Sequence, residues 1–455
     1  MNVLILAMAL LPWAASAKAL FTRIFLAISV FSVEMQLATV TGTATLRTLI
    51  IVNVLLSVAL IAWQWLRDGA PFTRWSRALL PIAPWPFVAV AASLVLVLNL
   101  RLPLQAADPY HLDRVAQIER TGTLEYNPAG AAKTNIFGWL YELVLADVRQ
   151  IPMAGPALVH LHGVFGLVLV GIALAAAQTW LRPWPSRWPL VLLFVIPPLF
   201  HALVLIKNDL FLALPAFVAL VWLVTSAERA TWTDAAWAAW LVGLAVSSKL
   251  TNLPLALALV GGVVFAQRLR DWRPLGGLAL GGLLGGVTGG LFFTLYANAG
   301  LYGDPFAREQ VQAIGNVNAG ASEALVSIVR FGISLFDLGL VTQVLWPGRG
   351  GWGGTFGLPL IWALAVLVFH YRLRAARWAL WVAGLQFLAF ATVFPDADVA
   401  HRIVLAPALL VVAVSLHVLN EQDRYRRPAT LALGLVLVLT SVQVVRSALL
   451  YLTGT

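Results

Sequence analysis

The chain has no cysteine among its 455 residues. That excludes disulfides, thiolate zinc sites and cysteine nucleophiles, and it leaves the compartment open. Charge is nearly as scarce: Asp, Glu, Lys and Arg make up 11% of the chain, against 60% hydrophobic residues. No soluble globular domain has that balance. The strict apolar–polar alternation over about 10 residues that a barrel strand needs in an outer membrane is also missing. So is a Gly-x-x-x-x-Gly-Lys-[Ser/Thr] loop, and direct use of ATP is not expected. No repeat of fixed period recurs, and no segment reads as an independent soluble domain.

What is present is apolar sequence in long runs. A spanning helix needs about 20 apolar residues, or about 17 at the short end. Window hydropathy predicts an all-α polytopic membrane protein with about 14 transmembrane helices. They fall near 2–16, 20–42, 48–66, 80–100, 156–178, 188–206, 209–226, 234–248, 252–267, 275–297, 354–371, 378–394, 402–419 and 428–447. The organisation expected is accessory helices over 1–79, a transmembrane core over 80–420 and a last transmembrane helix in 421–455. Residues 1–19 read as a short first span. Ala15-Ser16-Ala17 would suit signal cleavage, but the charged start of a signal peptide is missing.

The net charge is +10. Its arginines stand in short clusters between spans, which is topology rather than a groove for phosphates, so no nucleic-acid partner is expected. Lys18 and Arg23, Arg67, Arg74 and Arg77, Arg182 and Arg187, and Arg229 fall on one side. Arg268, Arg270 and Arg273, Arg372, Arg374 and Arg377, and Arg424, Arg426 and Arg427 continue the same set. The positive-inside rule puts these in the cytoplasm. Two long loops, 101–155 and 298–353, then face outward, with smaller polar turns at 207–209, 247–252 and 395–402. Charge gathers at the outward ends of spans. The inverted repeats and interrupted helices usual in transporters are not seen in the sequence.

The outward face carries the chemistry. Asp108-Pro109-Tyr110-His111-Leu112-Asp113-Arg114 begins just past a span. Leu112, Val115, Ile118 and Leu124 give a partly helical apolar spacing, which predicts an amphipathic helix over 109–121. Trp139, Leu140, Leu143 and Val144 mark a second one over 137–148. Asp108 either solvates a helix end or does chemistry. Lys207 and Asp209 pair with each other, or they are used, since charge at the hydrocarbon boundary is costly otherwise. Lys249 snorkels to the surface or reaches a phosphate. Asp304 before Pro305 reads as a turn former. Arg402 pairs with Asp396 or Asp398, or it holds a phosphate through its planar fork. A divalent metal on Asp108, His111 and His401 is chemically allowed, though no spacing demands it.

Taken together, these segments resemble the GT-C superfamily of integral-membrane glycosyltransferases, and the bacterial family 39-like, phospholipid carrier-dependent enzymes among them. Asp108-Pro-Tyr-His-Leu-Asp-Arg-Val looks like their first outer loop, and Lys207-Asn208-Asp209-Leu210 like their second acidic turn. Gly243-Leu244-Ala245 through Lys249 and Thr251 is similar to their Gly-Leu-Ala-x-x-x-Lys-x-Thr segment. Tyr302-Gly303-Asp304-Pro305-Phe306 departs from Tyr-Gly-Asn-Pro-Phe at Asp304. His401-Arg402-Ile-Val-Leu-Ala-Pro departs from Arg-Tyr-x-Leu-Pro after Arg402. The likeness runs from about residue 80 to 420, and residues 1–79 match loosely.

The resemblance implies an inverting transfer of a sugar from a polyprenyl-phosphate donor to an acceptor hydroxyl outside the plasma membrane, with lipid, glycan or protein as acceptor. Asp108 would be the base. Asp209 would orient it, bind the sugar or ligate a metal. Arg402, Lys249 and Lys207 would hold the donor phosphate, and Tyr110, His111 and Arg114 the substrate. The rival expectations are a transporter or lipid-linked sugar flippase without catalysis, another lipid-sugar enzyme such as a ligase or polymerase, and a structural membrane subunit.

Overall fold

The computed structural model describes residues 1–69, 85–101, 109–126, 138–181, 208–267, 271–310, 321–336, 357–393, 404–421 and 423–453, with 196, 199, 202 and 203 besides. Among these residues every regular element is helical. The chain opens with α1 (Asn2–Leu10), α2 (Ala17–Thr41), α3 (Leu49–Asp68) and α4 (Trp85–Arg101). Two short amphipathic helices follow, α5 (Pro109–Thr121) and α6 (Leu140–Arg149), then α7 (Gly155–Val159) and α8 (His162–Ala177). The middle of the chain forms α9 (Asp209–Ser226), α10 (Trp232–Ser248), α11 (Leu253–Gln267), α12 (Arg273–Thr288) and α13 (Leu291–Tyr302). The last helices are α14 (Ala321–Phe336), α15 (Gly357–Phe369), α16 (Arg374–Val393), α17 (Leu405–Glu421) and α18 (Asp423–Thr453).

Four of these helical stretches are long and apolar enough to cross a membrane: 17–41, 49–68, 209–229 and 374–393. Taking α12 and α13 as one bent span gives five. Shorter apolar helices make up much of the rest, so the expected count of about 14 is not reached among the described residues. The expected span 2–16 is one case: α1 stops at Leu10 and passes into a single 3-10 turn, Leu11–Trp13. Pro12 has no N–H to continue the ladder. The expected span 188–206 lies almost wholly outside the described residues. The expected single span 275–297 is broken, its two halves bent by 56°. The break falls at Gly289-Gly290, where Gly290 has φ +84°, a conformation open to glycine at little cost. An interrupted helix is therefore present after all. The expected second loop, 298–353, is also partly helical: Phe331 of α14 packs on Phe387 and Phe390 of α16.

Helices α9 and α17 are buried along almost their whole length. A helix that is apolar all round belongs at the centre of a bundle, and α8 and α10 pack beside them. The tightest pairing is between α10 and α12. A Cβ on Gly277, Gly281 or Gly285 would stand 2.3, 2.0 or 2.6 Å from the carbonyl oxygens of Trp232, Ala236 and Trp240. Glycine every fourth residue thus puts one backbone directly on the other, the close approach that small residues permit between apolar helices.

A second apolar cluster joins α1 and α2 to the amphipathic pair. Leu6, Phe31, Met35 and Leu46 meet Val115, Ile118, Leu143 and Ala146. Asp147 of α6, fully buried, fastens α1 by accepting from the backbone N–H groups of Asn2 and Val3 at 2.8 and 2.9 Å. It thereby caps free donors at a helix start. The two expected amphipathic helices exist, but they are packed into the protein rather than laid on its surface.

Opposite ends of the bundle differ in chemistry. Helix α9 runs about 27 Å from Asp209 to Ser226, so Glu228 lies far from Asp209. Glu228 pairs with Arg374. At the start of α10, Asp234 lies 3.6 Å from Lys18, whose ammonium stands 5.0 and 4.6 Å from the Trp180 and Trp237 rings. Residues assigned to the cytoplasm by charge thus meet at one end, and Asp209 and Lys249 meet at the other.

Candidate functional site

The Asp209 end is assembled from four elements. Asp209 is in the first turn of α9, and Lys249 directly follows α10. They form an ion pair whose side chains are 2% and 16% exposed. Asp209 pairs with Lys249 because the return of α10 sets the two helix ends side by side; the expected Lys207–Asp209 pairing falls outside the described residues. Asp108, His401 and Arg402 lie outside them too. Lys249 is consequently engaged by a carboxylate and does not snorkel to the surface.

Helices α5 and α6 supply a second pair. His111 Nδ1 lies 2.5 Å from Glu142 Oε1, and neither side chain is exposed. Burial alone would raise the Glu142 carboxyl, but His111, and after it Arg114, brings it below the usual carboxylate range. Glu142 is therefore ionised at neutral pH. The metal site allowed on Asp108, His111 and His401 falls mostly outside the described residues; His111 Nδ1 faces Glu142, and among the described residues no three His, Asp or Glu gather to hold a metal ion. Tyr110 stacks against His111 at 4.0 Å between ring centres, and Tyr141 meets it edge-on at 6.1 Å.

The two pairs belong to one site. Burial first, and then the charges of Glu142 and Asp209, push the Tyr141 phenol far up, so Tyr141 stands within electrostatic reach of both and stays neutral. Arg114 donates to the Gly138 carbonyl at 3.2 Å. Gly138 in turn lies on the end of α10: a Cβ there would stand 2.5 Å from the Ser247 carbonyl and 2.7 Å from Ser248 Cα. Ser247 hydrogen-bonds to the Gly285 carbonyl at 3.0 Å, so the glycine-packed α10–α12 pair holds the turn that carries Lys249. Trp139 closes the side, edge-on to Phe293 at 4.7 Å and to Tyr126 at 6.0 Å. Burial pushes the Tyr126 phenol up to about 12.

The site is polar beyond its own needs. His111 Nε2, Glu142 Oε2, Trp139 Nε1, Asn208 Oδ1 and Ser248 Oγ are buried without a hydrogen-bond partner. Buried polar atoms are normally paired, and these five are carried by the elements that meet at the Asp209 end.

Of the residues expected to act, the structure brings Tyr110, His111, Arg114, Asp209 and Lys249 to one end of the bundle. Asp304 is the turn former expected. It caps its own turn, accepting from the Phe306 and Arg308 backbones at 3.1 and 3.0 Å. Glu142 was missed, because the segment around it reads as an apolar helix face. The available signal was the acid within that face: a carboxylate there needs a partner, and His111 was within the same loop. Comparison with known proteins returns no relative: no family model, no curated protein and no solved structure matches the chain.

Proposed function

We propose that the chain is an integral-membrane glycosyltransferase of the GT-C type, with family 39-like carrier dependence. It would transfer a sugar from a polyprenyl-phosphate donor to an acceptor hydroxyl at the outer face of the plasma membrane. The observation that carries this reading is the collection of a buried ion pair, Asp209–Lys249, and a buried hydrogen-bonded pair, His111–Glu142, at the end of the bundle opposite the basic clusters. An apolar cavity of about 210 Å³ supports it. The cavity lies between α15, α16 and α17, lined by Leu364, Phe387, Val404 and Val411 among others. A dry cavity of ~150 Å³ holds benzene, so this one suits a stretch of isoprenoid tail. Gln386 of α16 donates to the Thr251 carbonyl at 2.9 Å, tying the cavity wall to the turn of Lys249.

In this reading the acceptor oxygen attacks the anomeric carbon as its proton passes to Asp108. The bond from that carbon to the phosphate oxygen breaks, and its electron pair leaves with the polyprenyl phosphate. The leaving group is already an anion, so cations suffice and no general acid is required. Arg402 and Lys207 would meet it, with Lys249 held in place by Asp209. The acceptor is a lipid, a glycan or a protein. The test is Asp108→Asn in purified protein, assayed for sugar transfer from polyprenyl-phosphate donors. A lost general base should lower turnover by roughly 10²–10⁴-fold. Turnover near the wild-type rate would remove Asp108 from this role. Arg402→Ala should weaken donor binding, and unchanged affinity would remove the phosphate role.

A carrier-lipid flippase without catalysis is the second reading, and the bend at Gly289-Gly290 favours it, because broken helices are common in transporters. The break itself is apolar: a Cβ on Gly290 would meet the Trp139 ring at 2.9 Å. Transport of carrier lipid into empty liposomes with no transfer to any acceptor would decide for it.

A further inference from the structure

We propose that the polar shell around the His111–Glu142 pair binds the hydroxyls of the donor's glycosyl unit, with Glu142 as a positioning residue for His111. The proposal rests on the glycosyltransferase reading. Its basis is the set of unpartnered buried atoms and the elements that present them. His111 comes from α5, Glu142 from α6, Trp139 from the residue before α6, Asn208 from the residue before α9, and Ser248 from the last residue of α10. Tyr141 of α6 meets Phe211 of α9 at 5.9 Å between ring centres, and the seat of Gly138 on Ser247 and Ser248 adds the end of α10; these contacts bring the elements together.

The chemistry of the set selects the ligand. Ionised Glu142 can only accept, so the proton between it and His111 lies on Nδ1. The ring is thereby fixed with Nε2 left to bond elsewhere, the way an outer carboxylate fixes a working imidazole. Glu142 Oε2 and Asn208 Oδ1 accept, Trp139 Nε1 donates, and Ser248 Oγ does both. A mixture of donors and acceptors beside a fixed carboxylate repels a phosphate, which asks for donors and cations alone. It suits vicinal hydroxyls, each of which donates and accepts. The phosphate would then lie on the cationic side of the site and the sugar beneath α5 and α6.

Ser248→Ala gives the cleanest test, because that hydroxyl has no partner to lose. A purely structural shell predicts an unchanged or higher melting temperature and no effect on ligands. The full chain in lipid nanodiscs is titrated with undecaprenyl phosphate and with its glucosyl, galactosyl and mannosyl esters, followed by tryptophan fluorescence. The expected result is that at least one ester binds wild type more tightly than the bare carrier. Ser248→Ala should lose about three- to tenfold for that ester, the worth of one neutral hydrogen bond, with bare-carrier affinity unchanged. Glu142→Gln should lose more, again for the ester alone. Should Glu142→Gln fail to fold, Ser248→Ala decides. An ester preference that survives in the folded variants overturns the sugar shell and leaves the glycosyltransferase reading standing, as does carrier binding by wild type without any ester preference. Failure of wild type to bind any carrier overturns both.

Discussion

At Glu142, burial and charge pull in opposite directions. Burial favours the neutral acid, whereas His111 and Arg114 favour the ion, and the ion prevails. Removing one member of a buried pair strands the other, at a cost of about 3–5 kcal/mol. Glu142→Gln should therefore lower stability by about 3 kcal/mol at pH 7. The pH dependence has a definite sign. A carboxyl whose folded pKa lies below its unfolded value of about 4.3 contributes stability above that value. The contribution fades as pH falls through the lower, folded pKa. Wild type should lose stability in the window below about pH 4, and Glu142→Gln should flatten that acid limb. Melting curves from pH 3 to 8 check both; an unaltered acid limb would mean that Glu142 is not the carboxylate responsible. Asp209 was legible as a residue that needs a partner. Its pairing with Lys249 was not, since it depends on which helix end returns beside α9.

Among the elements, α12 makes the sharpest demand on its sequence. Gly281 has a backbone carbonyl 2.0 Å from where a Cβ would lie, whereas Gly282, its neighbour in the same helix, has nothing within 4 Å. Gly281→Ala should force α12 from α10 and cost about 1–3 kcal/mol, as overpacking does. Gly282→Ala should be neutral or stabilising by up to about 1 kcal/mol, because alanine is the better helix former. Equal melting temperatures for the two variants would refute the backbone contact. Helix α5 was readable from its apolar spacing. The break after α12 was not, because hydropathy windows measure composition and pass over a two-residue Gly289-Gly290 joint. For the same reason windows merge or extend helices that end at a proline or a glycine, and the described residues confirm four or five spans of the expected number.

For the whole molecule, the sorting of basic residues was legible and it maps onto the packing: Lys18, Asp234, Glu228 and Arg374 at one end, the buried pairs at the other. Sidedness can be measured directly because the chain has no cysteine to remove. Gln150→Cys should react with an impermeant maleimide added outside intact cells, and Glu228→Cys only after permeabilisation. The reverse pattern would invert the topology and place the candidate site in the cytoplasm. The seat of α1 has a consequence for how the protein is made. Its first N–H groups end on Asp147, about 145 residues further along the chain. At 5–20 residues per second a ribosome needs roughly 7–30 s to deliver that carboxylate. During this interval α1, nine residues long, has neither its cap nor its neighbours on α6. The membrane-insertion machinery therefore has to keep α1 in custody until Asp147 has been synthesised.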